Sequence, residues 1–193
     1  MKATHRIAAA GLFALALTGE ASAHTFGASG AGFAAGFAHP YLGLDHLLAM
    51  VAVGFWAAQS GRPALWQLPP AFLTLMAGGA VWANLGLETA RAETGIGLSV
   101  LALGLLIAGR VRLPSTWSTF AVAVFALFHG YAHGLEMPEA ASPGTYAAGF
   151  VLATASLHLV GIGFGLFARR RQALIRASGA AIAVAGAWLL AAG

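Results

Sequence analysis

Cysteine is absent from this chain of 193 residues, and charged side chains are scarce. Without thiols, neither disulfides nor thiolate ligands can form, so a metal site has to use imidazole, carboxylate, backbone oxygen or thioether groups. Only 8% of the residues are charged, whereas a soluble domain usually carries about a quarter. This shortage of charge indicates an integral membrane protein.

Hydrophobic residues make up 59% of the sequence. The formal net charge is +4, but the basic residues occupy short segments between apolar runs. Basic residues in such loops report the orientation of a membrane protein. We therefore expect the lipid bilayer as the surroundings of the chain, and no nucleic acid as a partner.

The N-terminus has the three regions of a secretory signal peptide. Two basic residues precede an apolar stretch over 7–17, and the segment 21–23 reads Ala-Ser-Ala, a small-residue cleavage pattern. An apolar run of about 11 residues is too short to cross about 30 Å of hydrocarbon, which favours cleavage over an uncleaved helix. The sequence therefore predicts a signal peptide over 1–23 and one transmembrane domain over 24–193.

Apolar segments separated by short loops follow the signal peptide. The first begins at Pro40, because the missing N–H of proline suits the first turn of a helix; residues 25–38 fit either an ordered lead-in or the first turns of a longer helix. We expect an all-α integral membrane protein, a six-helix transmembrane bundle. The predicted segments cover about 40–58, 68–87, 94–109, 116–136, 145–167 and 173–190.

Arginines are distributed unevenly between alternate loops. Arg91 stands alone on one side, and the more basic side of a membrane protein is the cytoplasmic one. The mature N-terminus is then outside, as the signal peptide requires. The basic side carries Arg62, Arg110, Arg112, Arg169, Arg170, Arg171 and Arg176.

The fourth segment ends with the stretch 128–136, Phe-His-Gly-Tyr-Ala-His-Gly-Leu-Glu. His129, His133 and Glu136 are spaced i, i+4, i+7, so they project from one face of a helix. Ionisable groups are costly in lipid; they normally face a bundle interior or a wet cavity and mark an ion or substrate pathway. This stretch therefore indicates a polar site inside the bundle.

The first segment opens with a second polar stretch, 39–46, His-Pro-Tyr-Leu-Gly-Leu-Asp-His. His39 and His46 share a face if the helix is continuous, with Met50 one turn further in, while Asp45 is offset by about 100°. The predicted topology puts both stretches at similar depth in the outer half of the membrane. We therefore expect one shared site.

Imidazole nitrogen and carboxylate oxygen form a ligand set that suits Ni²⁺, Co²⁺ or Zn²⁺, whereas Cu(I) favours more sulfur. A lone histidine would be weak support for a metal site, but two compact motifs are specific. The predicted metal ligands are His39, Asp45, His46, His129, His133 and Glu136.

Three further residues are accessory candidates. His24 follows the predicted cleavage site, where it either chelates metal through its imidazole and free α-amine or has no role beyond following that site. His158 stands alone in the fifth segment, and either a helix–helix hydrogen bond or a metal-binding role fits it. Met50 offers a thioether next to the first polar stretch.

A membrane-embedded haem protein or metalloenzyme is the alternative function. Axial haem ligands approach opposite faces of the porphyrin, so His129 and His133 on one helix face cannot both serve. A cross-helix pair such as His129 with His46 could, but it leaves the carboxylates unexplained.

Both polar stretches resemble the hallmark motifs of the HupE/UreJ family of nickel and cobalt permeases. The family patterns His-Pro-x-x-Gly-x-Asp-His and Phe-His-Gly-x-Ala-His-Gly-x-Glu match residues 39–46 and 128–136 at every defined position. The resemblance implies a transporter rather than an enzyme, with Ni²⁺ or Co²⁺ as the transported substrate and no permanent cofactor. It further implies uptake across a bacterial inner membrane to supply hydrogenase or urease.

Overall fold

The computed structural model describes residues 32–87, 91–137 and 142–192. The predicted signal peptide and His24 lie outside these ranges. The described residues form seven helices and no strands. The helices are α1 (Phe33–Leu42), α2 (Leu44–Ser60), α3 (Arg62–Asn84), α4 (Ala92–Ala108), α5 (Ser115–Glu136), α6 (Pro143–Ala168) and α7 (Gln172–Ala192).

Several of these helices are long and apolar enough to cross a membrane. By length and composition α3, α5, α6 and α7 each qualify, and α1 with α2 qualifies as a fifth span that is bent by 84°. Helix α4 is apolar but shorter, at 17 residues. The all-α prediction is therefore confirmed for the described residues, and the chain is a multi-pass membrane protein.

The first segment differs from the prediction at its start. Helix α1 begins at Phe33, so Pro40 lies near its end rather than in the first turn of a longer helix. Because proline has no N–H, the carbonyl of Gly36 loses its helical partner, and the helix ends two residues later. Gly43 is extended, with φ −92° and ψ 121°, and α2 starts at Leu44. The chain therefore turns sharply between the two helices.

Helix α3 also begins earlier than expected. It starts at Arg62 rather than at 68, with Pro63 in its first turn, where a missing N–H costs nothing. The helix then continues through Pro69 and Pro70. The remaining helix ends lie within about three residues of the predicted positions, the usual uncertainty of such boundaries.

The helices associate in pairs around α2. Helix α3 packs against α5, α4 against α7, and α6 against both α1 and α2. Helix α2 also contacts α3 and α4, and its side chains Met50, Phe55 and Trp56 are almost completely buried. The Trp56 indole N–H donates a hydrogen bond to the Val111 carbonyl oxygen at 3.0 Å. Helix α2 is thus the centre of the core.

Glycines allow the paired helices to approach closely. In the α3–α5 pair, a Cβ at Gly130 would collide with the Met76 carbonyl oxygen, and a Cβ at Gly79 would collide with the Leu127 carbonyl oxygen. Small residues at such crossings are the usual means of helix association in membranes. The close α3–α5 contact holds the end of α5, where three of the predicted ligands lie.

We expect Gly79→Ala to destabilise the protein by about 1–3 kcal/mol, because the added methyl group overpacks the helix crossing. The neighbouring Gly78→Ala is a matched control, since its Cβ meets no described atom within 4 Å and alanine is the better helix former. Thermal unfolding of the purified protein in detergent should show a lower midpoint for Gly79→Ala only. Equal midpoints for the two variants would contradict the close crossing.

Candidate metal site

Three predicted ligands converge where α1 and α5 end. The His39 Nε2 atom lies 3.1 Å from both Glu136 Oε2 and His133 Nδ1, and His133 Nδ1 lies 3.4 Å from Glu136 Oε2. We call His39, His133 and Glu136 the outer triad. Among the described residues it is the group of three potential ligands whose atoms lie within 4.8 Å of one another.

The spacing of the outer triad suits a transition-metal ion. Nitrogen and oxygen ligands bound about 2.0–2.2 Å from a divalent ion lie roughly 2.8–3.6 Å apart at octahedral or tetrahedral angles. The three separations, 3.1, 3.1 and 3.4 Å, fall within that range. An ion could therefore bind all three atoms with little rearrangement of the side chains.

A second pair of predicted residues lies at the start of α2. The Asp45 carboxylate accepts hydrogen bonds from both the backbone N–H and the Nδ1 of His46, each at 2.8 Å. A carboxylate that accepts from Nδ1–H fixes the tautomer of the imidazole and leaves Nε2 as the ligand atom. Asp45 is therefore placed to orient His46 rather than to bind an ion with the same oxygen.

His129 is held by a hydroxyl group in a similar way. The Ser99 hydroxyl donates to the Ile96 carbonyl oxygen at 2.7 Å, and its oxygen lies 2.8 Å from His129 Nε2. Because the Ser99 proton is already used, the hydroxyl oxygen accepts from His129 Nε2–H. This arrangement leaves Nδ1 of His129 as the free ligand atom.

The four histidines form one continuous cluster. Ring centroids are 4.9 Å apart between His39 and His133, 3.7 Å between His133 and His46, and 5.2 Å between His46 and His129. Within the described ranges, His46 Nε2, His129 Nδ1 and His133 Nε2 are buried without a hydrogen-bond partner. Such groups are rare in native interiors and point to a functional site. We call His46 and His129 the inner histidines.

The turn at Gly43 brings the two motifs together. Because α1 and α2 meet at 84°, His39 and His46 do not share a helix face, yet their ring centroids lie 6.3 Å apart. A Cβ at Gly43 would lie 2.8 Å from Asp45 Oδ1 and 2.9 Å from His46 Nδ1. Glycine at this position leaves room for the Asp45–His46 pair.

Two side chains of the site were not predicted from the sequence. The Tyr146 hydroxyl lies 2.8 Å from His39 Nδ1, and Ser99 holds His129. Neither belongs to a motif. The signal for Ser99 was weak, one serine in the apolar part of α4, and Tyr146 gave none in the first turn of α6. Each contacts the ring nitrogen opposite the one that could bind an ion, as partners of metal-binding histidines do.

A cavity of about 290 Å³ reaches His133 between α3, α5 and α6. Its lining is mostly apolar. The cavity therefore provides open space next to His133, the buried member of the outer triad. The residues along it include Met76, Asn84, Gly134, Met137, Tyr146 and Phe150.

The remaining predicted residues lie apart from the four-histidine cluster. Met50 is fully buried one turn beyond His46 in α2. His158 lies in α6, and the Phe72 ring contacts both it and His129. His24 is outside the described ranges.

Comparisons with known proteins identify the family. Apolar helices around a cluster of buried histidines define a multi-pass membrane protein with a candidate metal site. The chain matches the family model described as "HupE / UreJ protein" over residues 12–189. It is 46% identical over 181 residues to "Protein HupE" of Rhizobium leguminosarum bv. viciae, covering 93% of this chain and 94% of that protein. No solved structure matches the chain.

The chain therefore belongs to the HupE/UreJ family. Members of this family are transporter-type proteins associated with nickel and cobalt, not enzymes. The prediction of a transporter is thus confirmed, and the metalloenzyme alternative is not carried further.

We expect Ser99→Ala to weaken metal binding about 10- to 100-fold, because loss of a hydrogen bond that orients a ligand usually has an effect of that size. The matched control is Ser118→Ala, since Ser118 is also buried and its hydroxyl donates to the Leu113 carbonyl oxygen rather than holding a histidine of the cluster. Equilibrium dialysis of the purified proteins against ⁶³Ni²⁺ measures both affinities. Equal affinities for the two variants would show that the tautomer of His129 does not matter.

Proposed function

We propose that the protein takes up Ni²⁺, or Co²⁺, across a bacterial inner membrane. The observation that carries this proposal is the outer triad, three ligand atoms 3.1 to 3.4 Å apart, adjoining buried histidines whose free nitrogens point to a binding site. A site for a retained metal would need only one such group. Two adjoining groups suit an ion that moves from one to the next.

The ligand chemistry favours a borderline divalent ion. The cluster offers imidazole nitrogens and a carboxylate oxygen, which suit Ni²⁺, Co²⁺ and Zn²⁺ better than Ca²⁺ or Mg²⁺. The association of the family with nickel and cobalt selects between them. The metal is the transported substrate and no permanent cofactor is required. Delivery to hydrogenase or urease is the role that we infer for the imported nickel.

Entry begins at the outer triad. The Glu136 side chain is 52% exposed, the His39 side chain 17% and the His133 side chain 5%. An arriving ion therefore meets the carboxylate first and exchanges its water ligands stepwise for His39 and His133. This exchange offsets the cost of removing a divalent charge from water before the ion is fully enclosed.

His133 links the two groups of ligands. Its Nδ1 belongs to the outer triad, while its Nε2 is buried without a partner among the described residues. The ring centroids of His133 and His46 lie 3.7 Å apart. An ion that leaves the triad then meets His46 Nε2 and His129 Nδ1, which Asp45 and Ser99 hold in the ligating tautomer. The inner histidines therefore act as the next binding position.

We propose six spans with the site at the outer end. Helices α1 and α2 make one bent span, and α4, at about 26 Å long, crosses where the bilayer is slightly thinned. At the end opposite the outer triad, four arginines line one cavity of about 300 Å³. An excess of arginine marks the cytoplasmic side. The arginines are Arg62, Arg110, Arg112 and Arg169.

This orientation agrees with a mature N-terminus outside the cytoplasm, after removal of residues 1–23. It also leaves His24, the residue that cleavage would expose, on the side from which the metal arrives. We propose His24 only as an accessory capture group.

We expect His39→Ala, His133→Ala and Glu136→Gln each to reduce ⁶³Ni²⁺ accumulation at limiting metal by at least tenfold, because each removes one ligand of the outer triad. Glu93→Gln is the matched control. Glu93 is an exposed carboxylate in the first turn of α4 and is not a member of the triad. Uptake by cells, normalised to protein in the membrane fraction, measures the effect. Wild-type uptake by a His39→Ala/His133→Ala double variant would contradict the proposal.

A further inference from the structure

One buried histidine has no part in the site described so far. His158 lies in α6 and is 1% exposed, and neither of its ring nitrogens has a hydrogen-bond partner among the described residues. Thr154 lies one turn earlier on the same face of α6. It is completely buried, and its hydroxyl likewise lacks a partner in that part of the chain. Three polar atoms thus stand together in an apolar interior without compensation.

The Phe72 ring contacts both His158 and the inner histidine His129. The Phe72 ring centroid is 5.7 Å from that of His129 and 5.3 Å from that of His158. Counted along the helices at 1.5 Å per residue, His129 is about 10 Å from the outer end of α5, and His158 is about 22 Å from the outer end of α6. His158 is therefore the deeper of the two.

Helix α2 connects the same two levels. His46, Met50 and Gly54 recur at every fourth residue and so follow one face of the helix. At Gly54 the backbone of α2 reaches α6, because a Cβ there would collide with the carbonyl oxygen of His158. The face of α2 that carries His46 therefore contacts α6 at His158, eight residues further along α2.

We propose that His158, assisted by the Thr154 hydroxyl, is a second binding position for a divalent transition-metal ion, and that Phe72 separates it from the inner histidines. This inference rests on the proposed uptake of Ni²⁺ or Co²⁺. An imidazole nitrogen suits such borderline ions, and a hydroxyl oxygen adds a harder ligand. The ion reaches this position after it has left the four-histidine cluster.

A purely structural role fits these atoms poorly. A polar residue that joins two membrane helices does so through a hydrogen bond across the interface. Within the described ranges, His158 and Thr154 make none. Ionisable side chains inside a membrane bundle normally mark an ion or substrate pathway, and this one follows the proposed entry site.

Uptake kinetics test the position. His158→Gln keeps the bulk and polarity of the side chain but removes the imidazole ligand, so the maximal rate of ⁶³Ni²⁺ uptake should fall at least tenfold. The metal concentration for half-maximal uptake should stay within about twofold, because the outer triad is untouched. His158→Cys, which restores a metal ligand, should recover part of the rate. A wild-type rate for His158→Gln would overturn the proposal.

Spectroscopy tests the position without transport. Because the sequence contains no cysteine, His158→Cys places a single thiol in the protein. Purified full-length His158→Cys should develop a thiolate-to-metal charge-transfer absorption band when Ni²⁺ or Co²⁺ is added. The matched control is Val160→Cys, whose side chain lies at a position that is 60% exposed and should give no band.

The two levels of the hypothesis fail in different ways. Loss of uptake in the outer-triad variants, combined with no band in His158→Cys and unchanged uptake in His158→Gln, would leave the proposed function standing and remove His158 from the pathway. Wild-type uptake by the outer-triad variants would overturn the proposed function itself. Thr154→Val should weaken the band of the His158→Cys protein, and an unchanged band would remove the hydroxyl from the site.

Discussion

The cost of burying imidazoles in an apolar helix bundle governs this structure. Leaving a buried polar group without a hydrogen bond costs roughly 1–3 kcal/mol. In three histidines the protein satisfies one ring nitrogen each. The Asp45 carboxylate holds His46 Nδ1, the Ser99 hydroxyl holds His129 Nε2, and the Tyr146 hydroxyl holds His39 Nδ1.

The second nitrogen of each ring is thereby committed to another role. It either joins the outer triad or faces the interior of the cluster. Each of these contacts orients its ring, and those of Asp45 and Ser99 also set the tautomers of His46 and His129, which is how ligand geometry is prepared in metal sites. The hydrogen bonds that reduce the cost of burying these imidazoles therefore also orient their remaining nitrogens for binding a cation.

Close helix packing supplies the framework for this arrangement. The four histidines lie on α1, α2 and α5, and their partners Ser99 and Tyr146 lie on α4 and α6. These contacts require the five helices to pack closely. Glycines at the crossings permit that approach. The extended Gly43 adds the turn between α1 and α2, and the ring centroids of His39 and His46 lie 4.9 and 3.7 Å from that of His133 in α5.

The sequence singled out residues that lie together in the structure, but it did not predict their arrangement. Spacings within α5 were sufficient to place His129 and His133 on one face, because the helix is continuous there. The same reasoning failed for His39 and His46, because proline by itself favours the first turn of a helix, whereas Pro40 lies near the end of α1.

Partners from other helices were beyond sequence reasoning. The hydrogen bond between the Tyr146 hydroxyl and His39 Nδ1 joins residues 107 positions apart, and the contact depends on how α1 and α6 pack. Asp45 was expected as a ligand from its chemistry alone. Its contact with His46, which depends on the start of α2 at Leu44, gives it an orienting role. The composition and length of the apolar segments were sufficient to predict the helices. Two helix starts were wrong because α1 and α3 contain Pro40, Pro69 and Pro70 in their interiors.

X-ray absorption spectroscopy of the purified full-length protein loaded with one equivalent of Ni²⁺ tests the central claim most directly. The account predicts a first shell of nitrogen and oxygen at about 2.0–2.2 Å, with the multiple-scattering signature of at least two imidazoles, and loss of that signature in a His39→Ala/His133→Ala double variant. A shell of oxygen atoms alone, or a spectrum that is unchanged in the double variant, would contradict a metal site built on the outer triad.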